Sequence, residues 1–257
     1  MKKVDLLSIS VSTGSYDEFV HTIVNSAQER RSHYTCVANV HMLVEAYSDY
    51  KFASVVSNAN VITPDGMPLS WALRMLYGIK QDRVAGMDLL PDLLKRASLQ
   101  KIPVFFYGGT QTMLKKTVQY IKNNFPELNI AGLYSPPFRT LSASEEEFII
   151  QKINSSGASL VFVALGCPKQ EKWMAAMKDR IHAVTVGIGG ALPVLVGIQK
   201  RAPKWIQNAG MEWSFRLLQE PKRLFKRYAI TNTKFLYLLT REYLRQKFIR
   251  KVATPLN

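Results

Sequence analysis

The chain has 257 residues, 47% of them hydrophobic, enough for one large α/β domain or a domain with an appendage, and nothing in the composition suggests disorder. The net charge of +15 is unevenly placed: residues 197–257 carry 14 Lys and Arg against 3 Asp and Glu, or +11. A nearly balanced body with a basic tail points to an anionic partner for the tail.

In chain order, residues 4–10 read as a strand and residues 16–31 as an amphipathic helix with Phe19, Ile23 and Ala27 on one face. A strand from Tyr34 to Ala38 runs into Asn39, and one helix follows with Leu43, Ala46, Tyr47 and Phe52. The next strand ends at Ile62. A Pro-Asp-Gly turn comes after it, and Met67 and Pro68 open a helix through Trp71, Leu73 and Leu76. Residues 81–87 read as a loop before a helix with Leu89, Leu90, Leu93 and Leu94. Continuous apolar runs at 102–107, 160–165 and 183–186 suit parallel strands covered on both faces, with a further strand at 130–134. Helices fall between them. This alternation predicts a doubly wound, mostly parallel sheet with helices on both faces.

The N-terminus has two lysines, but Asp5 interrupts its short apolar run and no small-residue cleavage site follows, so it does not read as a signal peptide. No stretch approaches 18 uninterrupted apolar residues. Cys36 and Cys167, both in strand-like apolar settings, read as buried thiols in a reducing compartment, without metal-ligand spacing to any histidine.

The chemistry gathers at strand ends, where open α/β sheets bind their ligands. Asp65 follows one strand at a helix start, which suits either a helix cap or a general base. Three strands end in glycine turns, Gly108-Gly109, Gly166 and Gly187/Gly189/Gly190, which let a ligand approach the backbone closely and suggest a nucleotide. The dinucleotide fingerprint fails, because Leu192 stands where its third glycine belongs, and no P-loop occurs. No Asp-x-Asp pair is present to hold a metal–diphosphate. Arg83 reads as a surface ion pair or a fork donor to phosphate. Asn39 and Gln170 read as turn or cap residues, or as ligand contacts. His41 and Glu45 are spaced i, i+4 with no further ligand nearby, which favours a core or surface role.

The stretches Ala38-Asn-Val-His41, Thr63-Pro-Asp-Gly-Met-Pro68, Arg83-Val-Ala-Gly-Met-Asp88, Gly166-Cys-Pro-Lys-Gln-Glu171, Gly187-Ile-Gly-Gly190, Lys200-Arg-Ala-Pro-Lys204 and the segment from Gly210 to Arg223 occur in that order. In them the chain resembles the WecG/TagA/CpsF glycosyltransferases over nearly its whole length. The resemblance implies a Rossmann-like catalytic domain over 1–196 and a membrane-docking, acceptor-binding helical appendage over 197–257. It implies an inverting, metal-independent enzyme of cell-surface polymer assembly, with no cofactor. Such an enzyme moves a sugar from a UDP-sugar to a polyprenyl-diphosphate-linked glycan, on the cytoplasmic membrane face. Asp65 matches the base, and Asn39, Arg83 and Gln170 match donor-site residues. The turns at Gly108, Gly109, Gly189 and Gly190 would contact the donor. Two departures lie near the donor pocket: Val37 and Ala38 where a hydroxyl is common, and Pro193 where an aspartate is common. They leave N-acetylmannosamine, its uronic acid and glucose all open as the donor sugar.

In the tail, Trp213, Leu217, Leu224, Tyr228, Phe235, Leu239 and Tyr243 recur at helical spacing with basic residues between them, and Pro221 breaks or kinks the first segment. A basic amphipathic helix of this kind suits an anionic membrane surface rather than nucleic acid, for which no motif is present. Arg216, Arg223 and Arg227 are the candidates for gripping the acceptor diphosphate. The same apolar stripe also suits self-association.

Overall fold

The structure, a computed structural model, describes residues 1–253, with side chains through Ile249; residues 254–257 of the expected appendage lie outside the described residues. The chain opens with an antiparallel hairpin, β1 (Lys2–Leu6) and β2 (Ile9–Thr13), where one strand was expected. The chain reverses at Leu7, which takes a left-handed φ of 59°. Leu6, Ile9 and Val11 are thereby all buried.

Six strands form the central sheet: β3 (Tyr34–Ala38), β4 (Val61–Pro64), β5 (Val104–Gly108), β6 (Ile130–Tyr134), β7 (Leu160–Ala164) and β8 (Val184–Gly187). All are parallel, in the order β4-β3-β8-β7-β5-β6. Alternate residues serve two cores: Phe105, Tyr107, Val161 and Val163 point to one, Phe106, Leu160 and Phe162 to the other. Both faces of the sheet are apolar, which is why the strands read as unbroken apolar runs.

The second core is covered by α1 (Tyr16–Gln28), α5 (Gly86–Leu99), α6 (Gln111–Asn124) and α9 (Ala191–Leu195). The first is covered by α2 (Val40–Ser48), α3 (Tyr50–Ser57), α4 (Met67–Tyr77), α7 (Ala143–Ser155) and α8 (Lys169–Met177). The single helix expected after Asn39 is two, because Asp49 leaves helical geometry and caps α3 by accepting the Phe52 N–H at 3.1 Å. Ser15 and Ser142 start α1 and α7 with capping boxes, each satisfying backbone donors that would otherwise lack partners.

The tail is helical: α10 (Lys204–Asn208), α11 (Glu212–Gln219) and α12 (Pro221–Ala253). Pro221 starts α12 instead of kinking a helix, since its missing N–H costs nothing in a first turn. The apolar stripe offered to a membrane above is mostly spent on the fold. Leu224 is buried, Phe235 belongs to the core shared with α2 and α4, and Leu239 and Tyr243 pack against that core. A different set faces outward, including Phe225, Leu236, Leu244 and Phe248. No helix among the described residues is long and apolar enough to cross a membrane.

Candidate active site

A cleft of about 810 Å³ lies beyond the carboxyl ends of the strands, with the tail helices as its far wall. Parallel register makes this possible. Ala38 is level with Pro64, Gly108 with Ala164, and Val163 with Gly187. The residues just past these points, Asn39, Asp65, Gly109, Leu165 and Ile188, therefore emerge along one edge and line the cleft.

Asp65 is not a helix cap. The N-cap of α4 is Gly66, with φ 93° and no side-chain cap bond, and the Asp65 N–H donates to the Ala38 carbonyl at 2.7 Å. The carboxylate is left for the cleft. Burial pushes its pKa up from 3.8 to about 6, and the negative charge of Glu212 adds to the rise. Arg216, Arg83 and a hydrogen bond from Asn39 oppose it. A carboxylate in that range is ionised at neutral pH yet basic enough to take a proton. Glu212, at the start of α11, lies inside the Gly210 to Arg223 stretch, but that stretch assigned it no role of its own.

Asn39 fills both roles open to it. Its Oδ1 caps α2 by accepting the Met42 N–H at 3.1 Å, which leaves its amide N–H to reach Asp65. Gln170 is buried and spends its amide within the protein. Its Oε1 accepts the Gly166 N–H at 3.2 Å, and its Nε2 donates to Glu171 Oε1 at 2.7 Å. The side chain lies against Gly187 and Gly189, so it props the glycine turns from beneath. Burial raises the Glu171 carboxyl above its ordinary range.

Arg83 stands behind the cleft, outside its lining. Its guanidinium is divided between Asp88, at 2.8 Å, and Glu212. Arg201 also pairs with Asp88. The resulting chain of alternating charges ties the loop after α4 to α11 and holds Glu212 beside Asp65.

The glycines differ in purpose. Gly108 is a packing requirement of the sheet: a Cβ there would lie 2.6 Å from the Ala164 carbonyl oxygen, and its φ is 105°. At Gly190 a Cβ would lie 2.6 Å from Arg216 Nη2, so the missing side chain lets that guanidinium rest on the turn after β8. Gly109 and Gly189 line the cleft beside them. Val37 and Pro193 line it too.

Arg216, Arg223 and Arg227 all line the tail wall, in different states. Arg216 is close enough to lower the Asp65 pKa. Arg223 is exposed and paired with Glu220. Arg227 has a buried Nε without a hydrogen-bond partner. His41, expected in a core or surface role, instead lines the cleft beside Arg227. Cys36 and Cys167 are free thiols, and burial raises both pKa values. Among the described residues, no group of three or more His, Cys, Asp or Glu side chains is placed to hold a metal.

The model of the glycosyl transferase WecG/TagA/CpsF family matches residues 4–249. Among curated proteins the chain is similar to the N-acetylglucosaminyldiphosphoundecaprenol N-acetyl-beta-D-mannosaminyltransferase of Bacillus spizizenii. It is 33% identical to it over 204 residues, covering 79% of this chain and 77% of that protein. The Bacillus subtilis protein of the same name is 33% identical over 199 residues, covering 75% and 76%.

Proposed function

The chain belongs to the WecG/TagA/CpsF family of glycosyl transferases, and from that membership we propose that it moves N-acetylmannosamine from a UDP-sugar to N-acetylglucosamine carried on a polyprenyl diphosphate. The names of the two Bacillus relatives supply the sugar and the acceptor. One observation carries the reading: an uncapped carboxylate with a pKa of about 6 faces the cleft, within the field of a guanidinium laid on a glycine turn.

The acceptor hydroxyl oxygen attacks the anomeric carbon and a new carbon–oxygen bond forms with inversion. The bond from that carbon to the β-phosphate oxygen breaks, the hydroxyl proton passes to Asp65, and UDP leaves with the bonding electrons. Inversion needs only this one base. Charge grows on the departing diphosphate. Arg216, resting on the turn at Gly190, meets it, and this arrangement supports a metal-independent reaction. Asn39 fixes the Asp65 carboxylate. Gln170 holds the turns in shape, and Arg83 holds Glu212 where it keeps Asp65 basic.

Residues 197–257 act as the appendage that brings the site to a lipid-linked substrate. The outward face of α12 mixes apolar residues with Arg241, Arg245 and Lys247, a pattern suited to an anionic membrane surface. This pattern supports a peripheral position on the membrane face where nucleotide sugars are available.

The test is a transfer assay with EDTA present, a short-chain polyprenyl-diphosphate N-acetylglucosamine, and a panel of UDP-sugars. Product from UDP-N-acetylmannosamine, indifferent to EDTA, is expected. Product from UDP-glucose or the uronic acid donor instead would correct the sugar. Loss of all product with EDTA would overturn metal independence.

A further inference from the structure

Helix α4 leaves the cleft beside Asp65 and carries an apolar stripe on its outer face. Met67, Trp71 and Met75 are spaced i, i+4 and i+8, which sets them on one face, a turn apart. Met67 lines the cleft with Asp65 and Gly66. Trp71 and Met75 continue the row beyond the cleft lining and are 51% and 43% exposed. The core is served by a separate face of the helix, with Leu69, Leu73 and Leu76 buried. A surface helix ordinarily turns polar side chains outward, so a second apolar face marks a contact with something else. The tail touches the stripe at Gly210. A Cβ there would lie 2.8 Å from Trp71 Cη2 and 3.0 Å from Met67 Cβ, so the missing side chain lets both stand in one row against the backbone. Met211, the next residue, is 43% exposed.

We infer that this stripe is a track for the first prenyl units of the acceptor's lipid, carried by the catalytic domain and not by the tail. This rests on the transferase reading above. Continuity with the base supports it. The acceptor sugar brings a hydroxyl to Asp65, and its lipid leaves the cleft from there. Trp71 and Met75 stand about 6 and 12 Å beyond Met67 along the helix axis. A sugar ring and a diphosphate together span roughly two turns of helix, so the first prenyl unit emerges level with Trp71 and Met75.

The side chains suit this occupant. A prenyl chain is flexible, bears methyl branches and offers no hydrogen-bonding group beyond its diphosphate. Methionine is unbranched and adapts to irregular apolar shapes, and an indole presents a broad flat face. Arg74 is the only charged side chain of α4, so the stripe is not interrupted by charge.

The experiment is calorimetric titration of the full chain, without vesicles, with dimethylallyl, geranyl and farnesyl diphosphate, alongside thermal melts. Wild type is compared with Trp71→Ser, Met75→Ser and, on the outward face of α12, Leu236→Ser. Affinity in the wild type is expected to rise about tenfold from the shortest chain to the longest. Trp71→Ser and Met75→Ser are each expected to lower farnesyl diphosphate affinity about threefold and leave dimethylallyl diphosphate unchanged, while Leu236→Ser changes neither. Trp71 packs on Gly210, so Met75→Ser decides the matter if Trp71→Ser melts early. Four results would overturn the track: no gain with chain length in the wild type, a gain that survives both α4 substitutions, an equal loss at every chain length, or a gain lost only in Leu236→Ser. Sedimentation with anionic vesicles that weakens in the α4 variants while the chain-length gain persists would also overturn it, in favour of a membrane contact. These readings are of binding, so failure of sugar transfer would count against the proposed function and leave the track to be judged on its own result.

Discussion

The two walls of the cleft are built on different principles. The sheet wall is set by backbone: parallel register fixes where each strand ends, and its polar side chains are largely bonded within the protein. Asn39 caps α2, and Gln170 is shared between Gly166 and Glu171. The tail wall is set by charge. Its arginines stand on α11 and α12, and some of its donors have no partner at all. The difference suggests a division of labour. In the proposed reaction the rigid wall would hold the reacting centre, where small displacements cost rate, and the charged wall would hold phosphates, which tolerate more movement.

This contrast can be broken at its joint, Arg216, the tail residue that reaches across to the sheet turn. Arg216→Gln should lower kcat by about two orders of magnitude, in line with loss of a donor to developing charge, while the melting temperature stays close to wild type. Steady-state kinetics checks it; a change in the acceptor KM alone would move Arg216 to the acceptor side. A smaller effect tests the outward face of the tail. Replacing Phe225, Leu236 and Phe248 with serine should reduce sedimentation with anionic vesicles several-fold and spare turnover on a water-soluble acceptor. These side chains are 65%, 61% and 71% exposed, so the fold should not notice. Unchanged sedimentation would remove this face from any membrane role.

The smallest effect sharpens the electrostatics between the walls. Glu212 raises the Asp65 pKa across the cleft. Glu212→Gln should therefore shift the acid limb of the kcat/KM profile to lower pH, by about one unit or less. The wild-type limb should fall near pH 6, because the base must be ionised to accept a proton. An unmoved limb would show that another group sets it.

The sheet wall was far more legible in the sequence than the tail wall. Strands buried on both faces write themselves as apolar runs, and the turns ending them carry Asp65, Asn39 and the glycines. Local ambiguity accounts for the errors there. The alternation from Val4 to Val11 belongs to a hairpin, and Asp49 carries the cap that divides α2 from α3. On its own stretch Asp65 reads more readily as a cap than as a base, and the structure gives that position to Gly66. The tail wall depends on contacts between distant residues. Arg83 meets Glu212 across 129 positions, and no spacing rule reveals that its guanidinium is already taken. The periodicity from Leu224 to Tyr243 was real, but periodicity does not say whether an apolar stripe meets a membrane or the protein's own core. His41 joined the cleft only because α12 packs on α2.

The central claim is that Asp65 is a base held above its ordinary pKa at some cost to the fold. A carboxyl raised to about 6 keeps its proton in the folded state between about pH 4 and 6 while the unfolded chain has released it, so stability falls as pH rises through that window. Above it, ionised Asp65 costs about 3 kcal/mol. The most direct measurement is turnover and thermal melting of Asp65→Asn beside wild type at pH 7.5. The account predicts turnover lower by about three orders of magnitude with a melting temperature equal to or above wild type. Near-normal turnover, or lost turnover accompanied by a lower melting temperature, would contradict it.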